Sequence, residues 1–315
     1  MGNLADRSQR CAVILAGGEG LRLRPLTRRL VGDERPKQFC ALVGPETLLE
    51  QTRRRVALAV SPERTTVVVA EAHQRFYAPL LAGVPAARLV AQAKNVGTAP
   101  AILYGLLRTP AMHPDASVAV FPSDHHVSDD RAFMAHVESA FDVVATWPDL
   151  LVLLGIAPDT AETEYGWIEP GDPLPVGPPA RLARVRRFWE KPSLAVARAL
   201  LAKECLWNSF VMVGSVQRLL TMVCCAIPDL SEAFGPLREV LGTPAEKRVA
   251  DAIYARTPSR DFSREVLAAR PPNLAVLPVH GVEWTDLGDP RRLLAARSRL
   301  RFAREWVEQP LARLA

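Results

Sequence analysis

Lysine is scarce in this 315-residue chain: of 39 basic residues only five, at positions 37, 94, 191, 203 and 247, are lysine. A lysine here departs from the prevailing arginine, and two of the five fall in motifs described below. Cysteine is also sparse. Cys11, Cys40, Cys205, Cys224 and Cys225 are odd in number and lack C-x-x-C spacing, which suggests neither a disulfide framework nor a zinc site and leaves buried thiols in a reducing compartment as the expectation. Aromatic residues make up 6% and form no stacking motif, and the positive residues are spread along the chain, so the net charge of +5 is assigned to small anionic substrates and not to nucleic acid. No apolar run reaches membrane-spanning length, the first residues lack the long apolar region of a signal peptide, and Asp6 stands where a myristoylation pattern needs Ser or Thr. A soluble cytoplasmic protein with no membrane partner is expected. There is no linker, repeat or low-complexity segment to divide the chain.

What is present is a hydrophobic content of 49%, ample for a buried core, arranged as an alternation. Residues 11–16, 65–70, 117–121 and 150–155 are short apolar, mostly β-branched runs, the pattern of strands buried on both faces of a parallel sheet. Residues 47–60, 71–81, 98–107 and 131–146 carry helical apolar spacing between them, so the first half reads as a doubly wound α/β fold. Beyond residue 155 strands are expected over 165–171, 182–190, 274–278 and 282–288, with a Pro/Gly-rich loop over 172–179 and a helical region punctuated by prolines. From Asp289 onward Leu293, Leu300, Trp306 and Val307 lie on one side of a basic helix, read first as a packed terminal helix and second as an oligomer contact.

Three glycines, Gly17, Gly18 and Gly20, follow the first strand and lead into a basic loop holding Arg22, Arg24, Arg28, Arg29, Arg35 and Lys37. The dinucleotide motif G-x-G-x-x-G fails because Leu23 stands at the third glycine, and no G-K-[ST] closes a P-loop. No G-x-S-x-G elbow supports a serine hydrolase. Glycines let backbone N–H groups approach phosphate oxygens while guanidinium forks and an ammonium neutralise several charges, so the loop suits a polyphosphate, although a solvated basic loop has the same composition.

Other candidates carry plain structural alternatives. Asp124 follows an apolar run at its carboxyl end, where open α/β sheets bind ligands; alone, such an Asp is more often a cap or turn residue, and Asp286 reads the same way. His125 and His126 are adjacent, so on a strand they face opposite ways and are read as structural or as support for a neighbouring site residue. Thr98 reads as a helix N-cap, Gly166 as a bulge, Asn208 as a turn residue, and Glu190-Lys191-Pro192 as a strand end with a surface ion pair.

The segment Leu15-Ala-Gly-Gly-Glu-Gly-Leu-Arg-Leu-Arg-Pro-Leu-Thr27 with Pro36-Lys-Gln-Phe39 resembles the signature of sugar-1-phosphate nucleotidylyltransferases, specifically mannose-1-phosphate guanylyltransferases. The resemblance continues through Asn95-Val-Gly-Thr-Ala-Pro-Ala101, Pro122-Ser-Asp-His125, Glu164-Tyr-Gly-Trp-Ile-Glu-Pro-Gly171, Phe188-Trp-Glu-Lys-Pro192, Trp207-Asn-Ser209 and Trp284-Thr-Asp-Leu-Gly288. It implies a Rossmann-like doubly wound mixed sheet of nucleotidyltransferase type, a catalytic domain over 1–288, and a helical extension over 289–315 packed on it. It further implies transfer of a guanylyl group from GTP to mannose 1-phosphate, with Mg²⁺ as cofactor and a homodimer left open. By that resemblance Arg22, Lys37, Asp124 and Lys191 are catalytic. Ala16, Gly17, Gly18, Gly20, Gly97, Thr98 and Ala99 hold the nucleotide; Gly166, Glu169, Glu190, Lys191 and Asn208 hold the sugar phosphate; Asp124 and Asp286 hold the metal. The chain departs from the pattern at Leu21, Arg24 and Phe210, where the family has Thr, often an aromatic, and Gly, and its loop between Thr27 and Pro36 is longer. Those departures keep open another sugar or base, such as a thymidylyl or uridylyl enzyme, and a catalytically silent sugar-nucleotide binder.

Overall fold

The β-branched runs become strands because each is apolar on both sides and can be covered on both. In the computed structural model, which describes residues 6–109, 116–175, 181–269 and 272–299, they form β1 (Arg10–Ala16), β2 (Thr65–Ala70), β4 (Ser117–Pro122) and β6 (Leu151–Ile156); the half-buried β3 (Leu89–Gln92), which those runs do not include, follows β2, and the two-residue β5 (His126–Val127) follows β4. The second half supplies β7 (Gly166–Pro173), β8 (Ala183–Glu190), β9 (Leu206–Ser215), β10 (Leu274–Val279) and the short β11 (Trp284–Thr285). Nine of these make one sheet in the order β3-β2-β1-β4-β9-β6-β10-β8-β7, and β11 pairs antiparallel with β5 beside it.

The sheet is mixed, as expected. β3, β2, β1 and β4 run parallel, as do β6 and β10; β9 is antiparallel to both β4 and β6, and β8 to β10. Alternation along β1 divides the core: Ala12, Ile14 and Ala16 face one apolar cluster, Cys11 and Val13 the other. Helices Leu48–Val56 and Asp130–Thr146 cover the first face, and Thr98–Arg108 and Val216–Ala226 the second. A third, smaller cluster joins Leu23, Cys40, Leu42 and Leu48 to Leu287, Leu293 and Ala296. It brings the loop after β1 and the segment after β11 together although they are distant in sequence.

Two expectations are corrected, one strand is added, and the terminal helix is found where it was expected. Residues 282–288 do not form one strand; only Trp284 and Thr285 pair, because Leu287 is left-handed (φ 48°) and the Gly288 N–H turns back to the Asp286 carboxylate at 2.7 Å. β9, ten residues at the centre of the sheet, is a strand that the local apolar pattern does not signal. The thiols of Cys224 and Cys225 are exposed while Cys11, Cys40 and Cys205 are buried. Cys224 and Cys225 are adjacent in the helix Val216–Ala226, whose buried face is formed by Val216, Leu219, Leu220, Met222 and Val223. The terminal helix spans Pro290–Arg299 and buries Leu293 and Ala296; Leu300, Trp306 and Val307 lie outside the described residues.

Candidate active site

The loop after β1 is held from inside by Gln38, a buried side chain whose Nε2 donates to the carbonyls of Ala16 (3.1 Å) and Gly18 (2.7 Å). Gly20 is left-handed (φ 60°), and a Cβ there would sit 3.2 Å from the Lys37 nitrogen, so glycine lets the Pro36-Lys-Gln-Phe39 turn close on the loop. Lys37 is itself buried. Its ammonium pairs with Asp124 Oδ2 at 3.2 Å and donates to the main-chain carbonyl of Asp286, with the Leu287 carbonyl at 3.5 Å. One ammonium therefore links both carboxylate-bearing segments, and buried Leu287 anchors the second of them in the third cluster.

Asp124 lies just beyond β4, as expected from its position after an apolar run. Burial pushes its carboxyl up, but the Lys37 ammonium, with His125, outweighs that and holds it below the usual range. His125 sits 3.6 Å from Asp124 and edge-on to Trp284 at 5.1 Å, and burial keeps its own titration low. Oδ1 of Asp286 accepts from the Tyr165 hydroxyl (3.2 Å) and the Gly288 N–H, and lies 3.1 Å from Arg292 of the terminal helix. Arg292 is steadied by Glu162 (2.8 Å) and Asp289 (3.2 Å) and stacks over Tyr165 at 4.7 Å. Burial and the Asp286 charge raise the Tyr165 hydroxyl, which stays protonated as a donor.

Asp124 and Asp286 line one cavity of about 270 Å³ together with Gly18, Thr98, Gly166, Glu190 and Asn208. A larger hollow of about 920 Å³ lies between the terminal helix and the segments carrying Glu162 and Glu283; Tyr165 and Trp284 border both. The smaller one holds the convergent motif residues. Glu190 is pushed up by burial and then by the charge of Asp261, against Lys191 and Arg264.

Other expected residues are placed differently. Ala16 ends β1, and Gly17 and Gly20 belong to the loop beside Gly18. Glu169 sits three residues beyond Gly166 on β7, so strand alternation turns it to the opposite face, where it meets Lys203 at 3.6 Å. Glu169 is thus not brought to the cavity. Lys191 is exposed, with a left-handed backbone (φ 48°), and does not line the cavity. Arg22 is half-exposed and pairs at 2.5 Å with Glu164, which does line it.

Thr98 is not an N-cap. The helix begins at Thr98 with Gly97 as its cap, and the Thr98 hydroxyl instead accepts from the Phe262 N–H at 2.8 Å. The Arg260 carbonyl accepts from the Ala99 N–H (3.2 Å), and the Arg260 N–H donates to Val96 (2.9 Å), clamping residues 96–99. Gly97 takes φ 97° and ψ 177°, a region essentially confined to glycine, and a Cβ would collide with the Arg260 carbonyl. Gly97→Ala is expected to cost about 2 kcal/mol or more, read by urea denaturation, and to raise the nucleotide KM if the clamped loop holds the base.

Residues 11–301 match the family described as nucleotidyl transferase. The chain belongs to that family. It is 34% identical to the xanthan biosynthesis protein XanB of Xanthomonas campestris pv. campestris (strain ATCC 33913) over 90% of this chain and 58% of that protein. It is 30% identical to the mannose-1-phosphate guanylyltransferase ManC of Salmonella typhimurium (strain LT2) over 88% of this chain and 57% of that protein. The chain thus spans less than three fifths of the length of these relatives. A solved structure from Thermus thermophilus, described as mannose-1-phosphate geranyltransferase, superposes with a TM-score of 0.78 at 29% identity, covering 92% of this chain and 79% of that one. The fold shared with that structure is the mixed α/β sheet described above, and no described helix is long and apolar enough to cross a membrane.

Nucleotidyltransferases of this family generally use a divalent metal. The residues present suit a hard cation, since the two carboxylates face one cavity and Asp124 is held in its charged form. Several residues of the site carry no strong signal in the sequence. Gln38 lies within a motif that draws attention to its lysine, and Arg292 lies on a helix read only for its apolar face. Asp261, just before a π-helical stretch (Ser263–Leu267), and Ser263, the first residue of that stretch, line the cavity. The cluster Pro258-Ser-Arg-Asp261 is the available turn signal there.

Proposed function

We propose that this nucleotidyltransferase is a mannose-1-phosphate guanylyltransferase, joining GTP and mannose 1-phosphate into GDP-mannose and pyrophosphate. A phosphate oxygen of the sugar 1-phosphate attacks the α-phosphorus of GTP in line. The new P–O bond forms as the bond from the α-phosphorus to the bridging oxygen breaks, and pyrophosphate leaves with that electron pair. No protein nucleophile is needed, so the protein's part is positioning and charge neutralisation.

The observation that carries this reading is the convergence of Gly18, Asp124, Glu190, Asn208 and Asp286 on one cavity, with the ManC-like relatives supplying the substrate pair. Asp124 and Asp286 would hold Mg²⁺, which when bound supplies positive charge beside the reacting phosphates. The glycine loop presents backbone N–H groups to the nucleotide phosphates, and Arg22, released from Glu164, offers a guanidinium to the departing pyrophosphate. Gly97, Thr98 and Ala99, clamped by Arg260, hold the guanine against small side chains. Glu190 and Asn208 take sugar hydroxyls, and Lys191 reaches the sugar phosphate from the cavity edge.

The test is pyrophosphate release across four nucleoside triphosphates and several sugar 1-phosphates, with and without Mg²⁺. GTP with mannose 1-phosphate is expected to have the highest kcat/KM. A clear preference for dTTP or UTP overturns the base assignment, and tight sugar-nucleotide binding without pyrophosphate release identifies a silent binder.

A further inference from the structure

Phe210 is a bulky residue in a left-handed conformation (φ 61°), a position that favours glycine. The strain is pinned from both sides. Between the pairs Leu153–Met212 and Gly155–Asn208, β6 advances by two residues and β9 by four, and the bulge falls on residues 209–211. The Asn208 Oδ1 accepts from the Phe210 N–H at 3.1 Å. Ser209 Oγ donates to the Leu154 carbonyl at 2.6 Å and accepts from the Val211 N–H at 3.1 Å. Phe210 thus lines the cavity with Gly166, Glu190 and Asn208 while packing on the core cluster under that face of the sheet.

We infer that Phe210 is a specificity-determining residue: its ring narrows the sugar end of the cavity so that hexose 1-phosphates bearing only hydroxyl groups are accepted and those carrying an N-acetyl group are excluded. This rests on the proposed sugar-nucleotide chemistry. The polar complement is right for hydroxyls. With Oδ1 engaged by the bulge, Asn208 has its amide hydrogens to donate, and Glu190 accepts. Gly166 adds no side chain, since a Cβ there would lie 2.9 Å from Phe188 and 3.2 Å from Glu190, so the Phe210 ring is the large apolar surface among these four residues. Persistent backbone strain in a cavity wall is the arrangement expected where a side chain is retained for function.

The experiment compares wild type with Phe210→Gly and Phe210→Ala, using GTP with either mannose 1-phosphate or N-acetylglucosamine 1-phosphate, by pyrophosphate release and by calorimetric binding of each sugar 1-phosphate in the presence of GTP. Both variants are expected to raise the ratio of kcat/KM for the N-acetylated over the plain sugar by about tenfold or more, the scale of steric discrimination in a pocket. Phe210→Gly should melt about 2 °C or more above Phe210→Ala, because both remove the ring and only glycine relieves the backbone. An unchanged ratio in both variants overturns the inference while leaving the proposed function intact. If wild type turns over neither sugar, the proposed function fails and the binding ratio still decides the role of Phe210. Absence of both turnover and binding overturns both.

Discussion

Asp124→Asn and Asp286→Asn are each expected to lower turnover about a hundredfold or more, the loss typical when a group that stabilises transition-state charge is removed. The amide keeps the side chain's shape and removes its charge, so neither variant should unfold. They should differ in stability. Asp286→Asn leaves Arg292 its partners Glu162 and Asp289, whereas Asp124→Asn removes the carboxylate facing the buried Lys37 ammonium and should lower the melting temperature more. Because both carboxylates line one cavity and Lys37 joins the Asp124 carboxylate to the Asp286 main chain, their losses should not add. The double variant should be little worse than the poorer single one in kcat. Fully additive losses, or full activity after thorough chelation of divalent metal, would remove the shared-metal arrangement.

Lys37 should give the second large effect, and on two observables at once. Lys37→Met deletes the partner of a mostly buried carboxylate and frees the Asp286 and Leu287 carbonyls, so a stability loss of about 2 kcal/mol and a fall in kcat of about a hundredfold are expected together. Lys37→Arg keeps the charge. A planar guanidinium cannot occupy the place of a compact ammonium between one carboxylate and two carbonyls within a buried turn, so that variant should also lose at least about tenfold in kcat. Chemical denaturation and steady-state pyrophosphate release measure the two effects separately. Wild-type kinetics in Lys37→Arg would mean that Lys37 contributes only diffuse positive charge.

The alternation of apolar runs and helical stretches is legible in residues 11–155 because hydrophobic periodicity is a local property and these strands are buried on both faces. The motifs, with the glycine loop at the end of β1 and Asp124 at the end of β4, are legible for the same reason. What depends on partners is not. The ten residues of β9 alternate poorly and become a strand because β4 and β6 flank them. Glu169 and Gly166 belong to one motif, yet the pleat sends them to opposite faces. Thr98 has the residue type of a cap, but the Arg260 carbonyl fills the space at Gly97 and the hydroxyl finds another partner. Lys37 and Asp286 are 249 residues apart, and only the packing of Leu287 and Leu293 beside Leu23 and Leu48 makes one ammonium serve both carboxylate segments. Residue chemistry, the order of the motifs and the strand ends that carry them are local properties of the chain. Tertiary structure decided which side chains meet, because contacts across hundreds of residues follow from strand pairing and core packing and leave no local periodicity in the chain.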